Sequence, residues 1–277
     1  NNKALLILLA VAVPARAAQV TRMRWLMGTA CEATVSASDP DGAANAAFDE
    51  IAGWERVLSL YIEGSELNAL NASAGKGPFR ASPKLYAAVA AALRLAEETG
   101  GAFDPTILPV LRRGAAARRL VGWAQVRLDP AARTIELPEA GMGLDSGAWG
   151  KGWALDRAAE ILRARGAKSA FINFGGQIMT LGRPGLGALW RVELPGLPEP
   201  LRLAEGSVAT SGDSERPGHI VSPFDGQPVR RAAAATAVLP SAMDADAWST
   251  ALYVLGRNPP SFRGRSFFVK NVKGGRS

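Results

Sequence analysis

Asp246 and Thr250 stand four residues apart in a stretch whose apolar residues recur at helical spacing, so the two side chains share one face of a helix. A carboxylate and a hydroxyl are hard oxygen ligands, suited to Mg²⁺ or Ca²⁺ rather than to zinc. A carbonyl from a glycine-rich turn would complete such a set. The same pair also suits a capped, solvated helix face, with Asp244 as a third polar group. His219 is the one histidine and the one side chain whose ordinary titration falls near neutral pH. It precedes a turn rich in Pro and Gly, where functional residues concentrate, although a lone histidine is more often structural. Asp104 follows Gly100-Gly101 closely. There it either positions a ligand hydroxyl or nucleobase or caps a turn. Ser73-Ala74-Gly75-Lys76 fits the Ser-x-x-Lys pattern of penicillin-binding enzymes, but the accompanying Lys-Thr-Gly element is absent.

Residues 141–176 concentrate glycine where backbone could approach a ligand. A short apolar segment meets a turn carrying Gly147, Gly150 and Gly152. A helix follows with Ala154, Leu155, Ala158, Ala159, Ile161 and Leu162 on its apolar face, then a strand over 170–173 that ends at Gly175-Gly176. Glycine turns before a helix N-terminus favour anions, and a ligand-free strand–turn–helix–strand unit reads equally well. A Walker A loop is excluded, because Asp145 stands where its first glycine belongs and Gly152 where Ser or Thr belongs. A nucleophile elbow is excluded too, since Ser146 is preceded by Leu144-Asp145 and not by Gly-x.

Elements that would hold these residues follow from pattern. The alternation over 23–35 predicts a first strand interrupted at Met27-Gly28-Thr29. Residues 41–58 read as a helix, Ser65 caps a short helical turn, and Ser82-Pro83 opens a helix that Gly100-Gly101 ends. Short strands are expected at 127–128, 134–137, 143–144, 190–194, 201–203, 208–212, 233–239 and 267–270. A helix over 242–255 is closed by Gly256. Strands and helices are mixed rather than strictly alternating, which favours α+β.

The composition is that of a globular chain: 277 residues, 48% hydrophobic, net charge +7. The basic residues are scattered, as in Arg112-Arg113, Arg118-Arg119 and Arg230-Arg231, and not gathered with aromatics on one element. Nucleic acid is therefore not the expected partner. Lys3, an apolar run over 4–13 and Ala15-Arg16-Ala17 have the layout of a secretory leader, so 1–17 are expected to be removed and 18–277 to form the exported domain. No later stretch is long and apolar enough to span a bilayer. Cys31, the single cysteine, excludes an intrachain disulfide and reads as a small buried hydrophobe.

Taken in order, the motifs resemble one family. They are Met27-Gly28-Thr29, Leu58-Ser59-Leu60-Tyr61 with Ser65-Glu66-Leu67 and Leu70-Asn71, Gly101-Ala102-Phe103-Asp104-Pro105-Thr106, and Leu144-Asp145 through Gly150-Lys151-Gly152-Trp153-Ala154-Leu155-Asp156. Asn173 with Gly175-Gly176, Ala209-Thr210-Ser211-Gly212-Asp213, His219-Ile220 with Pro223 and Gly226, and Ala245-Asp246-Ala247 with Thr250-Ala251-Leu252 complete the series. From residue 22 onward the chain resembles the FAD:protein FMN transferases, the ApbE-like family.

That resemblance implies an α+β fold of mixed, largely antiparallel sheets with packed helices and an active site in a cleft between two lobes. It implies a periplasmic, Mg²⁺-dependent enzyme that cleaves FAD, moves FMN onto a Ser or Thr hydroxyl of an acceptor protein and releases AMP. By position, Asp246, Thr250 and the Gly150 carbonyl would bind the metal. Met27, Tyr61, Ala102, Phe103, Asp104, Gly147, Trp153 and Ile220 would line the FAD site, and His219 would stand where the family has a candidate base. Two departures lie beside His219. The stretch from Asp213 to Gly218 is shorter than the family's usual hairpin, and Ser222 replaces the usual Asp before Pro223. The family's acceptor sequence, of Ser-Gly-Ala-Ser/Thr type, is absent, because Trp149 follows Ser146-Gly147-Ala148. An FAD-binding protein without transfer, and an FAD pyrophosphatase giving FMN and AMP, use the same residues.

Overall fold

A computed structural model describes residues 18–185, 187–213 and 218–270. The expected leader at 1–17 and most of the shortened stretch before His219 lie outside the described residues. The chain opens with a hairpin, β1 (Ala18–Leu26) and β2 (Thr29–Ala37), followed by α1 (Pro40–Leu58) and α2 (Glu66–Ala72). A short strand β3 (Phe79–Arg80) leads to α3 (Pro83–Glu98), α4 (Leu108–Arg113), β4 (Arg127–Asp129) and β5 (Thr134–Glu136). Then come α5 (Gly150–Ala164), β6 (Ser169–Phe174), β7 (Gln177–Gly182), β8 (Trp190–Val192), β9 (Leu201–Leu203) and β10 (Gly206–Ser211). The described chain closes with β11 (Ala233–Leu239), α6 (Ala242–Leu255) and β12 (Arg265–Lys270).

One sheet organises the molecule, in the order β1-β2-β6-β7-β10-β11-β12, with every neighbouring pair antiparallel. Smaller sheets are β3-β5-β4 and β8-β9. Alternation along the strands assigns the two faces. Cys31, Ala33 and Val35 of β2 and Ala170, Ile172 and Phe174 of β6 join the large core built with the helices. Ile178, Val208 and Val238 turn the other way and pack with Val192 and Leu201 of the β8-β9 ribbon. The fold is thus α+β with antiparallel sheets, as expected. Burial pushes the Cys31 thiol up to about 12, so it stays protonated and serves as a packing group.

Helix boundaries follow their caps. Asp39, Ser65, Ser82 and Ser241 each accept a backbone N–H from the first turn behind them, which satisfies donors the helix cannot. Three expectations need correction. The first strand is two strands: Leu26 pairs with Thr29, and Met27 (φ +46°) and Gly28 (φ +75°) form the two-residue turn between them. Residues 143–144 are not a strand, because the Asn71 side chain does a strand neighbour's work there. Its Nδ2 donates to the Leu144 carbonyl at 2.9 Å, and the Leu144 N–H donates to Asn71 Oδ1 at 2.7 Å. Gly150 and Gly152 are not turn residues but lie in the first turn of α5. A further strand, β7, was not anticipated. Gly175-Gly176 is the turn joining it to β6, and Phe174 pairs with Gln177 across that turn.

Candidate active site

Gly152 fixes where α5 meets α6. A methyl group built on it would overlap the Ala242 carbonyl and lie 2.6 Å from Met243 Cα, so only glycine allows this approach. Beside that crossing the Gly152 N–H donates to Asp246 Oδ2 at 3.3 Å. Asp246 is 8% exposed; the Ser249 hydroxyl donates to its backbone carbonyl at 2.8 Å, but its carboxylate receives no other described hydrogen bond. That single bond is long for one to a charged group. Burial raises the Asp246 carboxyl above its ordinary range, against a smaller lowering by Lys151 and the Gly152 amide. Thr250, one turn on, has its Oγ1 at 3.2 Å from Ser211 Oγ, and Ser211 Oγ lies 2.8 Å from Ser249 Oγ.

Gly150 starts α5, held by its N–H donating to the Ser146 carbonyl at 2.7 Å. The tip of the β1-β2 turn leans on it, with Met27 Cε 3.7 Å from a Cβ built at Gly150. Gly147 is exposed and donates its N–H to Asp145 Oδ2 at 2.8 Å. The Asp145 carboxyl is also raised by burial, with Gly147, Lys151 and Arg112 lowering it in part. Ser146 Oγ donates to the Leu58 carbonyl at 2.8 Å, which draws the 58–62 loop to this turn. Tyr61 on that loop is 97% exposed, a ring free to stack on a planar ligand.

Ala102, Phe103 and Asp104 are buried. Asp104 Oδ1 accepts from the Thr106 N–H (2.8 Å) and hydroxyl (2.6 Å), and Oδ2 accepts from the Trp123 N–H at 3.1 Å. Its carboxyl is raised by burial, and these donors lower it in part. The loop meets the glycine turn through the Asp145 N–H, which donates to the Pro105 carbonyl at 2.7 Å. Ile220 is buried and His219 exposed. Their loop is joined to α6 through Val229: its N–H donates to the Ile220 carbonyl at 2.8 Å, and the Tyr253 hydroxyl donates to its carbonyl at 3.5 Å.

Trp153 points elsewhere. Its ring meets Trp54 edge-on at 5.4 Å and lies under the Arg157 guanidinium at 4.7 Å. It lines a cavity of about 420 Å³ together with Arg94, Asp156, Arg163 and Asp244, and its buried Nε1 has no partner. Asp246 thus lies at the α5–α6 crossing beside Gly152, with Gly150 and Met27 at the start of α5, Thr250 one turn further along α6, and Gly147 three residues before Gly150. Tyr61 and the Asp104 loop join them through single hydrogen bonds, and Trp153 faces the cavity beside α3.

Supporting residues escaped sequence reasoning. Asp156 accepts from Ser241 Oγ (2.7 Å), the Ala242 N–H (2.7 Å) and the Met243 N–H (3.0 Å), which caps α6 from another helix. Arg231 donates to the Tyr253 and Val254 carbonyls at 2.5 and 2.6 Å at the other end of α6. Long-range partners like these leave no local signal; Asp156 was visible only as the last residue of the motif.

Among the described residues no group of three or more His, Cys, Asp or Glu is placed to hold a metal. The donors present instead fit a small hard cation that keeps several waters or substrate oxygens. They are one carboxylate, hydroxyls and a carbonyl, with a buried carboxylate short of hydrogen bonds.

The ApbE family model matches residues 27–259. The chain belongs to the ApbE family. A Treponema pallidum member named FAD:protein FMN transferase is 31% identical over 290 aligned residues, which take in 87% of this chain and 80% of that relative. A Vibrio cholerae member of the same name is 27% identical over 72% of this chain and 69% of its own length. Two crystal structures share the fold. The ApbE protein of Thermotoga maritima has a TM-score of 0.82 at 26% identity, over 91% of this chain and 94% of its own. The apo flavinyl transferase ApbE of Pseudomonas stutzeri has 0.80 at 25%, over 92% and 93%. Among the described residues no helix is long and apolar enough to cross a membrane.

Proposed function

We propose that this ApbE-family chain is an exported FAD:protein FMN transferase that uses Mg²⁺ to move FMN from FAD onto a Ser or Thr hydroxyl of an acceptor protein. The observation that carries the reading is Asp246: a buried carboxylate with one long hydrogen bond, one helical turn from Thr250 and against the α5 N-terminus. Asp246, Thr250 and the Gly150 carbonyl would hold the cation. When bound, Mg²⁺ would supply positive charge against the FAD pyrophosphate.

The chain's own residues do the rest. Tyr61 offers a ring for stacking. Met27 and Gly147 border the approach to Gly150, and the exposed Gly147 backbone leaves room for a phosphate. The acceptor oxygen bonds to the FMN phosphorus, AMP leaves with the bridging oxygen, and the hydroxyl proton passes to a base. His219 is the proposed base, on a loop held to α6 by the Tyr253 hydroxyl. It must come within hydrogen-bond reach of the acceptor. Trp149 stands where the acceptor sequence has its Ser or Thr, and Ser146 is tied to the Leu58 carbonyl, so this stretch offers no internal acceptor.

Incubation with FAD and Mg²⁺, with and without a peptide carrying Ser-Gly-Ala-Thr, tests this through AMP release and peptide mass. A peptide gaining the mass of FMN with equimolar AMP is the expected result. AMP without adduct identifies a pyrophosphatase, and bound FAD without AMP identifies a flavin carrier.

A further inference from the structure

β1 is an edge of the main sheet. Among the described residues it pairs with β2 alone, and it runs nine residues without proline or bulge. Its even-numbered side chains face α1: Arg22 pairs with Asp41, and Arg24 with Asp49. Its odd-numbered side chains take the opposite face, where Thr21 Oγ1 meets Thr34 Oγ1 at 2.8 Å. On that face Met23 is 67% exposed and Trp25 74% exposed. The β8-β9 ribbon covers the same face farther along the sheet, and its packing reaches only to Phe171 of β6. Two large apolar side chains therefore stand in water beside unpaired strand backbone, an arrangement that soluble proteins normally blunt.

The hairpin closes with Leu26 opposite Thr29. A closing pair exchanges both hydrogen bonds, so alternate residues (Trp25, Met23 and Thr21) turn their N–H and C=O groups away from β2. The Thr21 carbonyl accepts from Arg22 Nη1 at 3.0 Å, so the backbone left to pair belongs to Met23 and Trp25, whose side chains are exposed. The strand also leads to the chemistry: Met27, two residues past Trp25, has its Cε 3.7 Å from a Cβ built on Gly150 at the start of α5. At ~3.3 Å per residue, Trp25 and Met23 lie within ~7 and ~13 Å of that tip along the strand.

We propose that the outer edge of β1 is the docking strand for the acceptor protein. An extended acceptor segment pairs with Met23 and Trp25, packs an apolar side chain on Trp25, and is thereby led with its hydroxyl to the start of α5 at Gly150. This rests on the transferase reading above. Strand addition gives affinity through main-chain bonds that are indifferent to sequence and specificity through alternate side chains. Continuity between this edge and the site favours the acceptor over a second copy or a lipid surface.

Two variants test it, each with FAD binding measured by flavin fluorescence as a check on folding and on the FAD site. Met23→Pro removes an outward N–H that β2 does not use, which an edge strand tolerates. Trp25→Ala removes the apolar contact. Each is expected to raise the acceptor KM at least about tenfold, the weight of one hot-spot residue, with FAD affinity and kcat at saturating acceptor little changed. Unchanged acceptor KM in both variants, with wild-type transfer intact, overturns the docking strand and leaves the transferase reading standing. No transfer by wild type to any hydroxyl acceptor overturns both. A dimer of wild type that Trp25→Ala dissociates, or wild-type binding to anionic vesicles that Trp25→Ala abolishes, with acceptor KM unmoved, assigns the surface to a second copy or to lipid and overturns the proposal.

Discussion

The Gly152 N–H and the Asp246 carboxylate meet at 3.3 Å across the closest approach of two helices. Since a methyl on Gly152 would lie 2.6 Å from Met243 Cα, the contact that fixes the helix crossing also sets where Asp246 stands relative to Gly150. Gly152→Ala is therefore expected to push the helices apart. It should cost about 1–3 kcal/mol of stability, typical of overpacking, and weaken Mg²⁺ binding at the same time. Thermal unfolding with and without Mg²⁺ measures both.

Asp246→Asn should separate stability from function. The folded carboxyl is raised by burial, so the folded chain keeps that proton to higher pH than the unfolded chain. Its contribution to stability then falls as pH rises from about 4, the ordinary carboxylate value, through the folded pKa. Without metal, the variant should be more stable than wild type at neutral pH, with the gap closing near pH 4. With Mg²⁺ at a hundred times its Kd, wild type alone should gain about 2.7 kcal/mol. A wild-type Tm that ignores Mg²⁺ would count against the metal assignment.

Asp156→Ala leaves Ser241 Oγ and two N–H groups at the start of α6 without their acceptor. The expected loss is about 1–3 kcal/mol. Because α6 carries both proposed side-chain ligands, Mg²⁺ affinity should drop about tenfold, the lower end for residues that orient ligands. Calorimetric titration of Mg²⁺ into the variant distinguishes this from a stability effect alone.

Asp104→Ala strips an acceptor from the Thr106 N–H and hydroxyl and the Trp123 N–H. Unmade bonds of this kind cost about 1–3 kcal/mol. FAD affinity should fall with it, since the loop meets the Gly147 turn through the Asp145–Pro105 bond. A variant as stable as wild type, by urea unfolding, would show that the bonds contribute nothing.

The placement of the candidate pair was legible because it is local. Asp246 and Thr250 sit at helical spacing on a helix whose Ser241 cap and Gly256 stop are written in the chain. What was not legible is long-range. Residues 143–144 read as strand because nothing in them reveals that Asn71, far back in the chain, takes their hydrogen bonds. Gly150 and Gly152 read as a turn because glycine is poor in helices; the proximity of Ala242 and Met243 that demands glycine at 152 appears only after folding. β7 went unseen because Gly175-Gly176 resembled an end rather than a reversal, and Trp153 can be assigned a direction only once Trp54 and Arg157 are in place.

α6 is clamped at both ends by residues outside it, Asp156 at the first turn and Arg231 at the last carbonyls. A helix held at both ends resists sliding and unwinding, so Asp246 and Thr250 are positioned by folding, and the proposed cation would bind there with little further ordering. Motion in the catalytic cycle then falls to the surrounding loops. Amide exchange in α6 should be as slow as global unfolding, while the 58–62 and 219–229 loops exchange through local openings.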